Sequence, residues 1–213
     1  MRWLFARAAS RLRDLSDNPI AAGGGRDALL VKFYFCLLLV LMLARLQDLI
    51  LLEFDDMTHA AMGVSILSTG DWFTMHEGIL PTWIKPPLYF WIEALTFKAF
   101  GVSEYWARFP SAVSGFLCVL LTYRIAAKLW GEKTAFLTLV ALSTSYFFVK
   151  YSRRAMLDVP VAFATALGVY ALVRADFENR RGFYLLYGAG AALGYYFKGV
   201  QGLYLLGIAP VYF

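Results

Sequence analysis

The sequence predicts an all-α fold, a polytopic membrane helical bundle with juxtamembrane helices in its first external loop. Three observations predict it. Of the 213 residues, 60% are hydrophobic and 16% charged, with a mean hydropathy of +0.59. A water-soluble domain is typically about 45–50% apolar and roughly 25% charged. Six apolar runs follow one another, at about 29–52, 106–130, 134–149, 159–175, 182–197 and 202 onward. A spanning helix needs about 20 mostly apolar residues. One long connection, 53–105, separates the first run from the second. Disorder, a small disulfide scaffold and nucleic-acid binding are excluded as leading classes, and the net charge of +5 is modest.

The elements follow in order. Residues 1–28 form an N-terminal segment in which Trp3, Leu4, Phe5, Leu12 and Leu15 alternate with arginines. Such a segment suits an amphipathic helix lying on the cytoplasmic membrane surface. Asn18-Pro19 and Gly23-Gly24-Gly25 then make a hinge. Residues 29–213 form the transmembrane module, about six spans and incomplete. The pattern is still helical and apolar at Phe213, so the remaining part of the chain or a partner membrane subunit is expected to complete it. Arg45 and Asp48 in the first run, one turn apart, suit a pair at the membrane edge. Cys36 and Cys118 lie in apolar runs and are expected to be small buried hydrophobes. No CxxC or Cys/His cluster suggests a thiolate metal site.

Basic residues set the expected sidedness. Arg2, Arg7, Arg11, Arg13, Arg26 and Lys32 stand at the start; Arg124, Lys128 and Lys133 follow the second run; Arg174, Arg180 and Arg181 follow the fourth. If every run spans, these regions share one side, which the positive-inside rule makes cytoplasmic. Lys85, Lys98 and Arg108, then Lys150, Arg153 and Arg154, then Lys198 gather on the other side, against the rule.

The external loop, 53–105, has internal structure. Asp55-Asp56 precede a helix-like stretch from Met57 to Ser68. Aspartate caps a helix well, and Gly70 stops one. Gly70-Asp71-Trp72 opens an irregular stretch to Trp83. Pro86-Pro87 begins a second helix that runs to Phe100 and ends at Gly101. Proline suits a first turn, because the N–H it lacks would be unpaired there. Phe90, Trp91, Phe97 and Phe100 place this helix in the membrane interface.

Asp55 and Asp56, Lys85, and Asp158 with Arg153 and Arg154 upstream all lie near helix N-termini on the external side. N–H groups and the helix dipole favour an anion there. Lysine adds a point charge and arginine a fork for phosphate oxygens. Carboxylates among such cations can hold a divalent metal or act as a general base. Singly, an aspartate at a helix start is most often a cap and a basic residue at a membrane edge an anchor. The external clustering favours a site for an anionic, phosphate-bearing, lipid-linked ligand.

The motifs carry a resemblance. Asp55-Asp56 followed by Ser68-Thr69-Gly70-Asp71-Trp72, then Lys85-Pro86-Pro87-Leu88-Tyr89-Phe90-Trp91, resembles the first external loop of the GT-C glycosyltransferases. Phe100-Gly101-Val102-Ser103-Glu104, Ala107-Arg108-Phe109-Pro110-Ser111-Ala112, the stretch Arg153 to Pro160, and Phe197-Lys198-Gly199 continue the pattern in order. Aminoarabinose lipid A transferases and protein O-mannosyltransferases are the most similar branches. Ile84 stands where the former carry a glutamate, which argues against assigning their substrate, and Asp56 stands where the family has Glu.

The resemblance implies a GT-C-like fold and transfer of a sugar from a polyprenyl-phosphate donor to a lipid A, protein or cell-wall glycan acceptor on the external, periplasmic face. It implies a multi-pass protein of the bacterial inner membrane with a cytoplasmic N-terminus. Carried over by position, Asp55 is the main catalytic carboxylate, with Asp158 across the same cavity and Asp56 of second rank. Lys85 holds the donor phosphate, Arg153 or Arg154 neutralises the leaving group, and Lys198 is a further candidate for phosphate. Asp55 and Asp158 are the candidate ligands of a divalent metal, and no organic cofactor is expected. Partners are the lipid-linked sugar, membrane lipids and the acceptor, and no nucleic acid. His59, one turn from the acids, is expected to be a structural partner. The alternative from another class is a non-catalytic membrane subunit or polyprenyl-lipid-binding module of the same fold.

Overall fold

The computed structural model describes residues 24–48, 54–77, 80–82 and 85–212. The expected amphipathic helix at Met1–Leu15, the Asn18-Pro19 hinge and Ile84 lie outside the described residues. The chain is all-α apart from one small hairpin. Its elements are α1 (Gly24–Leu43), α2 (Phe54–Thr69), β1 (Met75–Glu77), β2 (Leu80–Thr82), α3 (Leu88–Phe100), α4 (Glu104–Trp130) and α5 (Glu132–Thr144). They continue with α6 (Tyr146–Ser152), α7 (Asp158–Glu178), α8 (Gly182–Lys198), a 3-10 turn (Gly199–Leu203) and α9 (Tyr204–Tyr212).

α4 and α7 are long and apolar enough to cross a membrane, and α5 with α6, bent by 65° at Ser145, makes a third candidate span. The apolar stretch Ala28–Leu43 of α1 is shorter, as is the 17-residue α8. α4 and α7 run side by side in the same direction. Lys128 and Glu178 join their C-terminal ends, while Ser111 of α4 donates to the Met156 carbonyl just before α7 at 2.9 Å. α8 returns antiparallel, and α2, α3 and the hairpin pack over the end where α4 and α7 begin.

Local chemistry explains the ends. Ser103 caps α4 by accepting from the Trp106 N–H. Pro110, inside α4, cannot donate to the carbonyl of Trp106; that oxygen takes the Thr96 hydroxyl instead, at 3.4 Å. Gly131 turns α4 into α5 with φ +87°, a left-handed conformation that glycine adopts at little cost. α7 and α8 touch through their backbones. A Cβ on Gly190 would sit 2.9 Å from the Ala164 carbonyl and 3.0 Å from the Gly168 nitrogen.

Two cores result. Met62, Ile66, Tyr89, Phe90, Leu157 and Phe197 fill the space under α2 and α3, with Met75 of the hairpin. Leu38, Met42, Val119 and Leu139 join α1 to α4 and α5. Cys118 is buried as expected, but Cys36 is exposed. It lies on α1 among exposed Leu29, Leu30, Phe33 and Leu37, a wide apolar face of the kind a helix turns to lipid. The sequence shows only that Cys36 is in an apolar run, and such a run says nothing about which face meets protein.

Candidate functional site

The site is assembled by α2, the segment before α3, and the ends of α7 and α8. Asp55 and Asp56 lie in the first turn of α2, one residue inside the helix rather than before it. Successive residues point about 100° apart around a helix, so the two acids face different surroundings. Asp55 is 56% exposed, and its Oδ1 is 3.8 Å from the Nζ of Lys85. Asp56 is fully buried, with Arg108 Nη2 at 3.0 Å and Arg154 Nη1 at 4.0 Å, and it accepts from the Ala155 N–H. Arg108, itself 2% exposed, also donates to the Leu46 carbonyl at 2.6 Å. Asp56 is therefore the anchor of a buried ion pair that ties α2 to α4 and to the approach of α7. Its burial and its partners contrast with the exposure of Asp55 and give Asp56 a structural task beside the catalytic one expected of it.

Lys85 stands directly before Pro86-Pro87, and Pro87 caps α3, receiving the first helical bond from Trp91 N–H at 2.9 Å. Its ammonium donates to His59 Nε2 at 2.9 Å. On the other side of Lys85 opens a cavity of about 700 Å³ lined by Lys85, Lys198, Thr82, Tyr195, Tyr196 and Gln201, among others. Asp158 opens α7 and pairs with Lys198 at the end of α8. The structure thus brings Asp55 and Lys85 together, and Asp158 and Lys198 together, with both lysines on one cavity wall.

Arg154 reaches Asp56, but neither Arg153 nor Arg154 lines the cavity of Lys85. They line a second cavity of about 1010 Å³ with Arg45, Lys150 and Tyr146. The Arg153 guanidinium donates to the carbonyls of Leu41 and Ala44, serving the frayed end of α1, whose last carbonyls have no partners of their own. The phosphate role expected of these arginines therefore concerns a different cavity from the one Lys85 lines. Arg45, with φ +55°, pairs with Asp48 as expected.

The remaining motif residues are structural. Asp71 Oδ1 accepts from the N–H groups of Phe73 and Thr74 at 2.9 and 3.0 Å, which folds the turn into β1. These bonds hold its carboxyl below the usual range. Trp72 offers its carbonyl to the Trp91 indole. Tyr89, fully buried, bonds Ser111 at 2.8 Å, fixing α3 on α4.

Glu93, fully buried on α3, has both carboxyl oxygens without a hydrogen-bond partner among the described residues, and burial followed by the charge of Asp56 raises its pKa well above the ordinary value. Its only sequence signal is an acid in an apolar helix. His59, expected to be structural, touches Lys85 directly. As for a metal, no group of three or more His, Cys, Asp or Glu side chains forms among the described residues. Asp55 and Asp158 each face a lysine, so this donor set does not fit a resident divalent cation.

Comparisons with known proteins agree with this architecture. The family model for dolichyl-phosphate-mannose-protein mannosyltransferase matches residues 84–213. An undecaprenyl phosphate-alpha-4-amino-4-deoxy-L-arabinose arabinosyl transferase 2 of Sodalis glossinidius is 32% identical over 154 residues, 70% of this chain and 28% of its own length. The corresponding transferase of Pseudomonas aeruginosa is 31% identical over 150 residues, 68% of this chain and 27% of its own. The crystal structure of ArnT from Cupriavidus metallidurans bound to undecaprenyl phosphate superposes with a TM-score of 0.78 at 24% identity, covering 85% of this chain and 34% of that one. The chain spans about a quarter to a third of the length of these relatives.

Proposed function

The chain belongs to the dolichyl-phosphate-mannose-protein mannosyltransferase family, and we propose that it serves an integral-membrane glycosyltransferase. In this reading a sugar leaves a polyprenyl-phosphate donor for an acceptor on the external face, be it lipid A, a protein or a cell-wall glycan. One observation carries it. An accessible carboxylate, Asp55, lies 3.8 Å from a lysine that lines a 700 Å³ cavity together with a second lysine, Lys198. The relatives' names and the undecaprenyl phosphate in the similar crystal structure support a polyprenyl-phosphate donor.

The chemistry follows from these groups. As the glycosidic C–O bond breaks, negative charge grows on the donor phosphate. A fixed ammonium stabilises that charge more than it stabilises the ground state. Lys85 fills this role, and Lys198 adds a second cation whose charge Asp158 partly balances. Asp55, exposed beside Lys85, takes the proton from the acceptor hydroxyl as the new bond forms. No step passes through a metal.

Asp55→Asn and Lys85→Ala, made in the full-length protein and assayed in membranes carrying radiolabelled polyprenyl-phosphate sugars, should each lower transfer by a factor of about 100 or more. Expression should stay normal. Unchanged transfer in both variants refutes the assignment, and retained lipid binding with no transfer in any form points to a lipid-binding module.

A further inference from the structure

Lys85 is held by a histidine whose chemical state the geometry defines. His59 lies on α2, one turn past Asp55, and is 3% exposed. Both ring nitrogens are engaged. Nδ1 is 2.5 Å from the Ala155 carbonyl oxygen, and Nε2 is 2.9 Å from the Lys85 ammonium. A carbonyl only accepts, so Nδ1 carries the proton. An ammonium only donates, so Nε2 is bare. The ring is therefore neutral and of one tautomer. An imidazolium would set N–H against N–H.

The surroundings hold this state. Burial foremost, and the charge of Lys85, lower the His59 pKa against the opposing pull of the Ala155 bond, Asp55 and Asp56. The rings of Tyr89 and Phe90 flank the imidazole at 6.0 and 5.7 Å. Ala155, fully buried, is pinned through its own N–H to Asp56, which Arg108 pairs in turn. A rigid chain of contacts thus runs from the buried ion pair through Ala155 and His59 to Lys85 at the cavity wall. Beyond His59, the partner of Lys85 among the described residues is Asp55 at 3.8 Å. A lysine free to close on Asp55 would leave the phosphate and mask the base together.

We propose that His59 is a positioning residue that holds the Lys85 ammonium toward the cavity and off Asp55, keeping the cation available to phosphate and the carboxylate available to the acceptor. The proposal rests on the reading of Lys85 as the phosphate-binding cation.

The test is a binding cycle on the full-length protein purified in detergent, with undecaprenyl phosphate as ligand. Wild type is compared with His59→Phe, Lys85→Ala and the double variant. Phenylalanine keeps the ring's bulk and burial but has neither nitrogen. His59→Phe should weaken binding about tenfold, as expected for one hydrogen bond to a charged group. Lys85→Ala should weaken it at least as much. The double variant should be no worse than Lys85→Ala, because the histidine acts through the lysine. His59→Gln, which can present an amide oxygen to Lys85, should recover most of the loss. Additive losses, or a glutamine variant as weak as the phenylalanine one, would overturn the proposal. A second readout separates it from the phosphate reading. Nitrogen-15 spectra of His59 in the wild type near pH 7 should show a bare Nε2 and a protonated Nδ1, and Lys85→Ala should raise its titration midpoint. A protonated Nε2 refutes the positioning role whatever the binding result. Undiminished binding in Lys85→Ala refutes the phosphate reading and leaves His59 to be decided by the spectra.

Discussion

Replacing Glu93 with methionine should stabilise the protein, although it removes a charged residue type from the middle of the candidate site's scaffold. Glu93 is fully buried, and neither carboxyl oxygen has a hydrogen-bond partner among the described residues. Gly63 of α2 leaves it room, since a Cβ there would meet Oε2 at 3.1 Å. An unpaired buried polar group costs about 1–3 kcal/mol. Methionine is close in volume, unbranched and free of such groups. The expected gain is about 1–3 kcal/mol, or roughly 2–10 °C in Tm for a chain of this size. The sign of the pH dependence is set by the raised pKa of Glu93. Above the ordinary carboxyl value the unfolded chain loses its proton while the folded one keeps it, so wild-type stability falls as pH rises toward neutrality. Methionine has no proton to lose, so its advantage should widen from pH 4.5 upward. Thermal unfolding of both purified forms in one detergent, at pH 5 and pH 7.5, measures this. A methionine variant that is less stable, or an advantage that shrinks with pH, would mean that Glu93 is ionised and paired in the native protein, and would refute the reasoning.

Two further outcomes follow from the packing. Arg108→Met leaves Asp56 buried without its 3.0 Å partner; a loss of about 3–5 kcal/mol is expected, seen as failure to accumulate in membranes, and Asp56→Leu on the same background should recover part of it. Gly190→Val forces apart α7 and α8, where the Ala164 carbonyl is 2.9 Å from the added Cβ. It should cost about 1–3 kcal/mol in thermal stability, while Gly188→Ala, with nothing within 4 Å of its Cβ, serves as the neutral control.

Much of the fold is legible because its signals are local. Pro87 and Gly101 mark the ends of α3 by their own backbone preferences, and the structure places its boundaries beside them. The long apolar runs became α4 and α7. The hairpin of Met75–Glu77 and Leu80–Thr82 was not legible, since three-residue strands carry too few side chains for an alternation to show. The break at Ser145 falls in the hydroxyl-rich stretch Ser143-Thr144-Ser145 of an otherwise mostly apolar run, and composition does not record a 65° bend.

The site shows the same division between local and distant. Residue types on the external face can be read from charge placement and motif order, but which cation meets which anion depends on contacts across 30 to 98 positions of sequence, from Asp55–Lys85 to Asp56–Arg154. Asp55 and Asp56 make the case most clearly. They are adjacent and identical in type, and only the resemblance ranks Asp55 above Asp56. A helix of 3.6 residues per turn separates their directions, so one faces Lys85 while the other enters a cage of Arg108 and the Ala155 N–H. A buried carboxyl needs partners for its oxygens, and Arg108 and the Ala155 N–H supply them. The exposed acid needs the opposite, a cation held close enough to share a substrate but kept from saturating it. Asp56 and Arg108 therefore serve Asp55 and Lys85 indirectly: by locking Ala155 they fix the histidine that keeps the second pair apart.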